Sequence, residues 1–115
     1  MMNGQELATA VKYGANIVML VFNNGMFGTI RMHQERDHPG REHATALTHP
    51  DFADLARAYG AHGETVVKTA EFAPAFERAL ASGKPAIIDL RMDPDVITTR
   101  TTLTAIRAAA EAKRA

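Results

Sequence analysis

The chain has 115 residues, a length that allows one domain and hardly two. Its 13 basic residues balance its 13 acidic residues, so it carries no electrostatic footprint for nucleic acid or for an anionic membrane surface. It has no cysteine, so we expect no disulfides and no thiolate metal sites. It also has no apolar run approaching the ~20 residues of a membrane span and no signal-peptide pattern, and we therefore expect a cytoplasmic protein.

The first two elements along the chain are predicted to be a helix and then a strand. The helix covers residues 3–13, with Asn3 as its N-cap and Gly14 as its stop. Ile17–Phe22 is an unbroken apolar run, which is typical of a strand buried on both faces of a parallel sheet. This strand ends abruptly at the polar stretch that begins with Asn23.

A polar region follows this strand. Residues 26–36 are compatible with a short helix, and residues 37–50 predict a surface loop that is long enough to favour a functional role. The arginines of this region alternate with acidic residues, which predicts a solvated surface. Its histidines have no zinc-binding pattern and are predicted to be solvated as well. The residues concerned are Arg31, Arg36, Arg41, Glu35, Asp37 and Glu42, and His33, His38, His43 and His49.

The rest of the chain alternates helices with strands. Apolar periodicity predicts helices over 51–59, 70–82 and 102–115 and strands over 63–67 and 86–91. Phe72, Phe76 and Leu80 form a predicted core stripe on one of these helices.

This alternation predicts an α/β fold, with a partial parallel sheet of about three strands and flanking helices. Sheets average roughly five to six strands, and the chain opens in a helix with no strand before it. We therefore expect the second part of a larger α/β domain. Because exposed sheet edges and apolar faces seek partners, we also expect a homo-oligomer.

The sharpest chemical feature is Asn-Asn-Gly-Met-Phe-Gly at residues 23–28, directly after the first predicted strand. Ligands of open α/β sheets bind at the carboxyl ends of strands. The amide side chains offer neutral oxygen ligands, and the glycines let the backbone approach a ligand closely. Taken alone, the motif favours a turn that uses Asn and Gly only for their backbone freedom.

Three stretches closely resemble the cofactor-binding domain of thiamine-diphosphate enzymes. They are Met-Asn-Gly-Gln-Glu-Leu-Ala-Thr-Ala at 2–10, Tyr-Gly-Ala-Asn-Ile-Val at 13–18 and Val-Phe-Asn-Asn-Gly-Met-Phe-Gly at 21–28. The branch resembled is that of acetolactate synthase, pyruvate oxidase and the 2-oxo acid decarboxylases, and the resemblance extends to about residue 97. It implies thiamine diphosphate and Mg²⁺ as cofactors, a 2-oxo acid as substrate, and residues 1–115 as the C-terminal part of a thiamine-diphosphate-binding domain.

The resemblance also implies roles for individual residues. In the family, the aspartate of a Gly-Asp-Gly motif, the second Asn and a carbonyl two residues later hold the Mg²⁺ that bridges the cofactor's diphosphate. Carried over to this chain, the resemblance implies Asn24 and the carbonyl of Met26 as the metal ligands. The cofactor-binding residues that it implies are Asn24, Gly25, Met26, Phe27 and Gly28. His33 and Gln34 follow this motif, where family members place specificity residues.

The chain departs from the family pattern at two points. It contains no Gly-Asp-Gly, and it lacks the family's activating glutamate, which comes from a different domain. We therefore assign no catalytic residue here, and we expect this chain alone to bind the cofactor weakly or not at all and to be inactive. The alternative is a stand-alone interaction or assembly module that kept the fold and lost catalysis.

Overall fold

A computed structural model describes residues 2–114, and its elements follow the predicted order closely. The elements are α1 Glu6–Tyr13, β1 Val18–Asn23, α2 Gly28–Asp37, α3 Phe52–Ala58, β2 His62–Val66, α4 Thr69–Ala81, β3 Ala86–Arg91, β4 Val96–Thr98, β5 Thr101–Thr102 and α5 Leu103–Ala112. They form two compact units. The first comprises the residues up to Asn23 and Pro50–Arg91, and the second comprises Asn24–His49 and the residues from Met92 onward.

The first unit is built on a parallel sheet with the strand order β1-β3-β2. Ala86 lies opposite Val18 on one side and His62 on the other, so both pairings are parallel and the predicted α/β architecture is confirmed. The prediction that the first strand is buried on both faces is wrong. β1 is an edge strand, and the central position belongs to β3, the most buried strand.

Helices cover the two faces of this sheet unequally. α1 and α3 contribute to a core with Leu7, Phe52, Ala56, Ala61 and Ile87, and α4 contributes to a core with Val66, Ala75, Ala79, Ala86 and Ile88. The rings of Phe72 and Phe76 stack beside the second core, with 5.7 Å between their centroids. Leu80, in contrast, is 60% exposed. The prediction that it belongs to the core is therefore wrong. The small alanines of α4 face the sheet, and Leu80 lies to the side of that contact.

The ends of the helices in the first unit show which capping predictions hold. Gly14 adopts a left-handed backbone with φ of 63° and ends α1, as predicted. Asn3 is not the N-cap, because α1 begins at Glu6 after Gln5. Asn3 itself has a left-handed backbone, with φ of 61°, and its carbonyl accepts the Glu6 N–H at 3.1 Å. It therefore forms a turn one step before the helix.

The second unit pairs α2 with α5 and adds the antiparallel hairpin β4–β5. This hairpin was not predicted, because strands of three and two residues are too short to show an alternation of apolar and polar residues. The side chain of Thr102 accepts the Ala105 N–H at 3.1 Å and caps α5. Within residues 2–114, no helix has the length and apolar character that crossing a bilayer requires.

Candidate functional site

The loop at residues 24–28 begins with a side chain that folds back on its own backbone. The Asn24 Oδ1 accepts the Met26 N–H at 3.2 Å, which is the hydrogen bond of an Asx turn. Gly25, between them, has φ of 70°. Because this left-handed region strains residues with a Cβ, the turn requires glycine at this position. The predicted metal ligands Asn24 and Met26 are therefore adjacent members of one tight turn.

A short bridge from the long loop fixes the same turn. Met26 lies opposite Ala46 in an isolated antiparallel pair. The Phe27 N–H donates to the Thr45 carbonyl at 2.9 Å, and the Leu47 N–H donates to the Gly25 carbonyl at 2.9 Å. Neither of these bonds uses the carbonyl of Met26, the predicted ligand. The long segment predicted as a functional loop thus holds the motif in place.

Gly28 closes the motif at the first residue of α2, where an added side chain would meet two neighbouring side chains. A Cβ here would lie 2.7 Å from the Asn24 Nδ2 and 2.9 Å from the Ile97 Cδ1. Glycine at this position therefore lets the Asn24 side chain pack against the start of the helix. This close approach sets the orientation of the amide whose oxygen is the predicted Mg²⁺ ligand.

The first Asn of the motif has a different role from the second. Asn23 is buried at the end of β1, and its Nδ2 donates to the Asp89 Oδ1 at 3.0 Å. Asp89 is fully buried on β3 and also pairs with the Arg91 Nε at 2.9 Å. Asn23 and Asp89 therefore join the carboxyl ends of two neighbouring strands. Since its oxygens already have these partners, Asp89 is poorly suited to replace the metal-binding aspartate that the resemblance implies.

Behind the loop, α2 carries a buried ion-pair network. Glu35 is 1% exposed and Arg31 is 8% exposed, so the prediction of a solvated surface is wrong for both. Glu35 accepts the Arg31 Nε at 3.0 Å, the Arg107 Nε at 2.7 Å and the Gly40 N–H at 3.0 Å. Arg31 also pairs with Glu42. Through Arg107 the network connects α2 to α5.

The electrostatics of this network favour an ionised carboxylate. The Arg107 guanidinium, together with the Gly40 N–H and Arg31, outweighs burial and lowers the pKa of Glu35 to about 2. The pKa of Glu42 is also lowered, chiefly by its bond to Arg31. Both carboxylates therefore stay charged near neutral pH and stabilise the structure through their ion pairs. Because they remain ionised, they are poorly suited to donate or accept protons at neutral pH.

A cavity of about 280 Å³ lies between this network and the motif loop, within the second unit. Two arginines and two acidic residues balance in its wall, so it has no net preference for an anion. Its lining residues are Met26, Arg31, Glu42, Pro94, Asp95, Leu103, Thr104 and Arg107.

The two residues predicted at a specificity position lie on α2 but differ in their contacts. The amide of Gln34 donates to the His43 carbonyl at 2.8 Å and accepts the His43 N–H at 3.2 Å. Gln34 therefore holds the long loop against α2 through these two hydrogen bonds. His33 is exposed. Among residues 2–114, no three His, Asp or Glu side chains are grouped so that they could hold a metal ion.

Comparisons with known proteins identify the family of the chain. The family model described as "Thiamine pyrophosphate enzyme, C-terminal TPP binding domain" matches residues 1–90. A probable acetolactate synthase of Mycobacterium bovis is 35% identical over 94 residues, which are 82% of this chain and 17% of that protein. The putative thiamine pyrophosphate-containing protein YdaP of Bacillus subtilis is 37% identical over 86 residues, which are 75% of this chain and 15% of that protein.

An acetolactate synthase of Arthrospira platensis is also similar, at 34% identity over 96 residues. The chain spans about one sixth of the length of these curated relatives. The family model, in contrast, covers most of this chain and includes the whole Asn24–Gly28 loop. The chain therefore belongs to the thiamine pyrophosphate enzyme family, through its C-terminal TPP-binding domain.

Proposed function

We propose that this chain supplies the neutral half of a Mg²⁺–diphosphate anchor in a thiamine-diphosphate enzyme that acts on 2-oxo acids, in the manner of acetolactate synthase. The observation that carries the proposal is the turn at residues 24–28. It places one amide and one backbone carbonyl, on Asn24 and Met26, two residues apart in a rigid loop. Oxygen donors of this kind are those that Mg²⁺ prefers.

The donor set of the loop fits such an anchor in part. Asn24 and the carbonyl of Met26 would hold the ion, and N–H groups near Gly28 at the start of α2 would face the diphosphate. The loop residues 24–28 carry no charge of their own. We propose that a carboxylate from outside this sequence completes the metal site.

The residues of this chain bind and orient, and they do not carry out the chemistry. Bound thiamine diphosphate supplies the carbon nucleophile and the electron sink that decarboxylation of a 2-oxo acid needs. Gly25 and Gly28 permit the close backbone approach, and the bridge to residues 45–47 keeps the loop ordered before the cofactor arrives. This preorganisation lowers the ordering cost of binding.

The absence of the charged ligand sets the expected affinity of this chain alone. Mg²⁺ dehydrates reluctantly, and two neutral oxygens compete poorly with water for it. We therefore expect a dissociation constant on the order of millimolar, and no turnover of 2-oxo acids.

A titration followed by amide NMR tests the proposal. Mg²⁺ with thiamine diphosphate should shift the amide signals of residues 24–28, whereas thiamine, which lacks the diphosphate, should not. Asn24→Ala should abolish the shift, and Asn16→Ala, which changes an exposed asparagine before β1, should leave it intact. The absence of any localised shift at saturating cofactor would favour the non-catalytic module. A micromolar dissociation constant would refute the missing-ligand reasoning.

A further inference from the structure

The chain passes between the two compact units three times, after Asn23, before Pro50 and after Arg91. Asn23 and Arg91 are the last residues of β1 and β3, and they lie opposite each other in the parallel register. Pro50 directly precedes Asp51, the N-cap of α3. The points where the chain leaves the first unit are therefore the carboxyl ends of two neighbouring strands and the start of a helix.

One hydrogen-bonded network within the first unit connects these three points. It centres on the fully buried Asp89, whose Oδ1 accepts the Asn23 Nδ2 at 3.0 Å and whose Oδ2 lies 2.9 Å from the Arg91 Nε. The Nη2 of Arg91 donates in turn to the Asp51 Oδ2 at 3.1 Å. The other carboxylate oxygen of Asp51 accepts the Asp54 N–H at 2.9 Å and caps α3. We call the side chains of Asn23, Asp89, Arg91 and Asp51 the carboxyl-edge network.

The chemistry of these groups gives each contact one possible direction. Carboxylate oxygens only accept hydrogen bonds, whereas the Asn23 amide nitrogen and the Arg91 guanidinium only donate them. Even a well-paired buried carboxylate adds little stability over an apolar side chain of similar volume. A fully satisfied buried network does, however, specify one arrangement of its members. The carboxyl-edge network therefore fixes the position of Asn23 more narrowly than apolar packing would.

We propose that Asp89 is a positioning residue for the motif loop at residues 24–28 and that it acts through Asn23. The peptide unit that joins Asn23 to Asn24 is planar and rigid, so the way Asn23 is held sets the direction in which the chain leaves β1. Asn24 then begins the Asx turn, in which its Oδ1 accepts the Met26 N–H. The inference rests on the proposed function only for the role of this loop as a cofactor anchor, because the order of the loop is measurable without cofactor.

Amide hydrogen exchange of the cofactor-free chain tests the positioning role. The reporters are the hydrogen-bonded N–H groups of Met26, Phe27 and Leu47. Arg91→Gln removes both ion pairs of a partly exposed arginine and should speed exchange at the reporters by about tenfold. Arg78→Gln is the matched control, because Arg78 pairs with a carboxylate of β2 in the same unit. It should leave the reporters unchanged.

An exchange of donor and acceptor separates positioning from general destabilisation. In Asp89→Asn, an NH₂ group replaces one of the two accepting oxygens and meets a donor, so the reporters should again exchange about tenfold faster. Adding Asn23→Asp restores an amide–carboxylate pair with the roles reversed, and leaves the amide oxygen to accept the Arg91 Nε. This double variant should return exchange to within about twofold of the wild type. Circular dichroism checks folding, and the two arginine variants decide the matter where Asp89→Asn does not fold.

Titration of the same variants with Mg²⁺ and thiamine diphosphate separates this inference from the proposed function. Arg91→Gln should raise the dissociation constant by at least about threefold, since a less ordered loop costs more to order on binding, and Arg78→Gln should not. A wild-type chain whose loop signals do not shift would refute the proposed function, and the exchange rates would still decide the positioning role. Equal exchange in the two arginine variants, or a double variant that exchanges as fast as Asp89→Asn, would overturn the inference.

Discussion

Replacing Glu35 with glutamine tests whether the buried network holds the second unit together. Glu35→Gln keeps the shape of the side chain but removes the charge that faces Arg31 and Arg107. A pKa lowered from 4.5 to about 2 corresponds to roughly 3 kcal/mol of stabilisation of the ionised form in the folded protein. We therefore expect the free energy of unfolding at pH 7 to fall by about 3 kcal/mol.

The same lowered pKa determines how the difference depends on pH. Glu35 is ionised in both the folded and unfolded states above about pH 5, so its full contribution is present there. As the pH falls through the unfolded value of 4.5 toward about 2, the unfolded state takes up a proton first, and the contribution is lost. The wild type should therefore converge on Glu35→Gln across this window.

Urea unfolding followed by circular dichroism, from pH 7 down to about pH 2.5, measures both effects. Glu77→Gln, which changes a glutamate on α4 in the other unit, is the control and should stay within about 0.5 kcal/mol of the wild type. A double-mutant cycle with Arg107→Gln isolates the pair. A Glu35→Gln variant as stable as the wild type at pH 7, or a difference that does not change with pH, would refute the reasoning.

Three further substitutions, each measured by urea unfolding, test two close contacts at glycines and one helix cap. Gly63→Ala places a Cβ 2.1 Å from the Ala53 carbonyl oxygen, and because backbone cannot yield easily we expect a loss of about 3 kcal/mol or more. Gly28→Ala meets only the movable Asn24 amide and a side-chain end, so we expect a loss below about 1 kcal/mol and a displaced Asn24 side-chain signal in NMR. Asp51→Ala removes the N-cap of α3 and should cost about 1 kcal/mol. Equal losses for the two glycine variants would contradict this distinction.

The sequence predicts those parts of the fold that depend on local pattern. The apolar runs locate β1 and β3, and the glycine at position 14 ends α1 because its left-handed backbone is a local property. The motif at residues 23–28 marks the candidate site through its residue types and its place directly after a strand. Whether this motif binds a cofactor remains a prediction, to which the fold adds a specific geometry.

What could not be predicted depends on partners that are distant in sequence. Charge alternation around Arg31 and Glu35 looks like a solvated surface, and the residue that makes it a buried network, Arg107, lies 72 positions beyond Glu35. Asn23 likewise finds its partner Asp89 66 positions away. Ionic and amide side chains have many possible partners, so neither spacing nor composition identifies the one that the fold selects.

The last prediction concerns the segment that lies beyond the family match. That match ends at residue 90, yet the motif loop belongs to a unit that includes the residues from Met92 onward. Within this unit, the Ile97 side chain occupies the space beside Gly28. If this contact keeps the loop in shape, Ile97→Ala should open it locally.

Amide hydrogen exchange separates this local effect from general destabilisation. Ile97→Ala should speed exchange at residues 25–28 by about tenfold, equivalent to ~1.4 kcal/mol of local opening, while the amides of β3 keep their protection. Ile106→Ala removes the same atoms from α5 in the same unit and should leave the loop unchanged. Equal acceleration by both variants would mean that the loop only follows the stability of its unit. Selective acceleration would show that a segment outside the family match sets the geometry of the loop at residues 24–28.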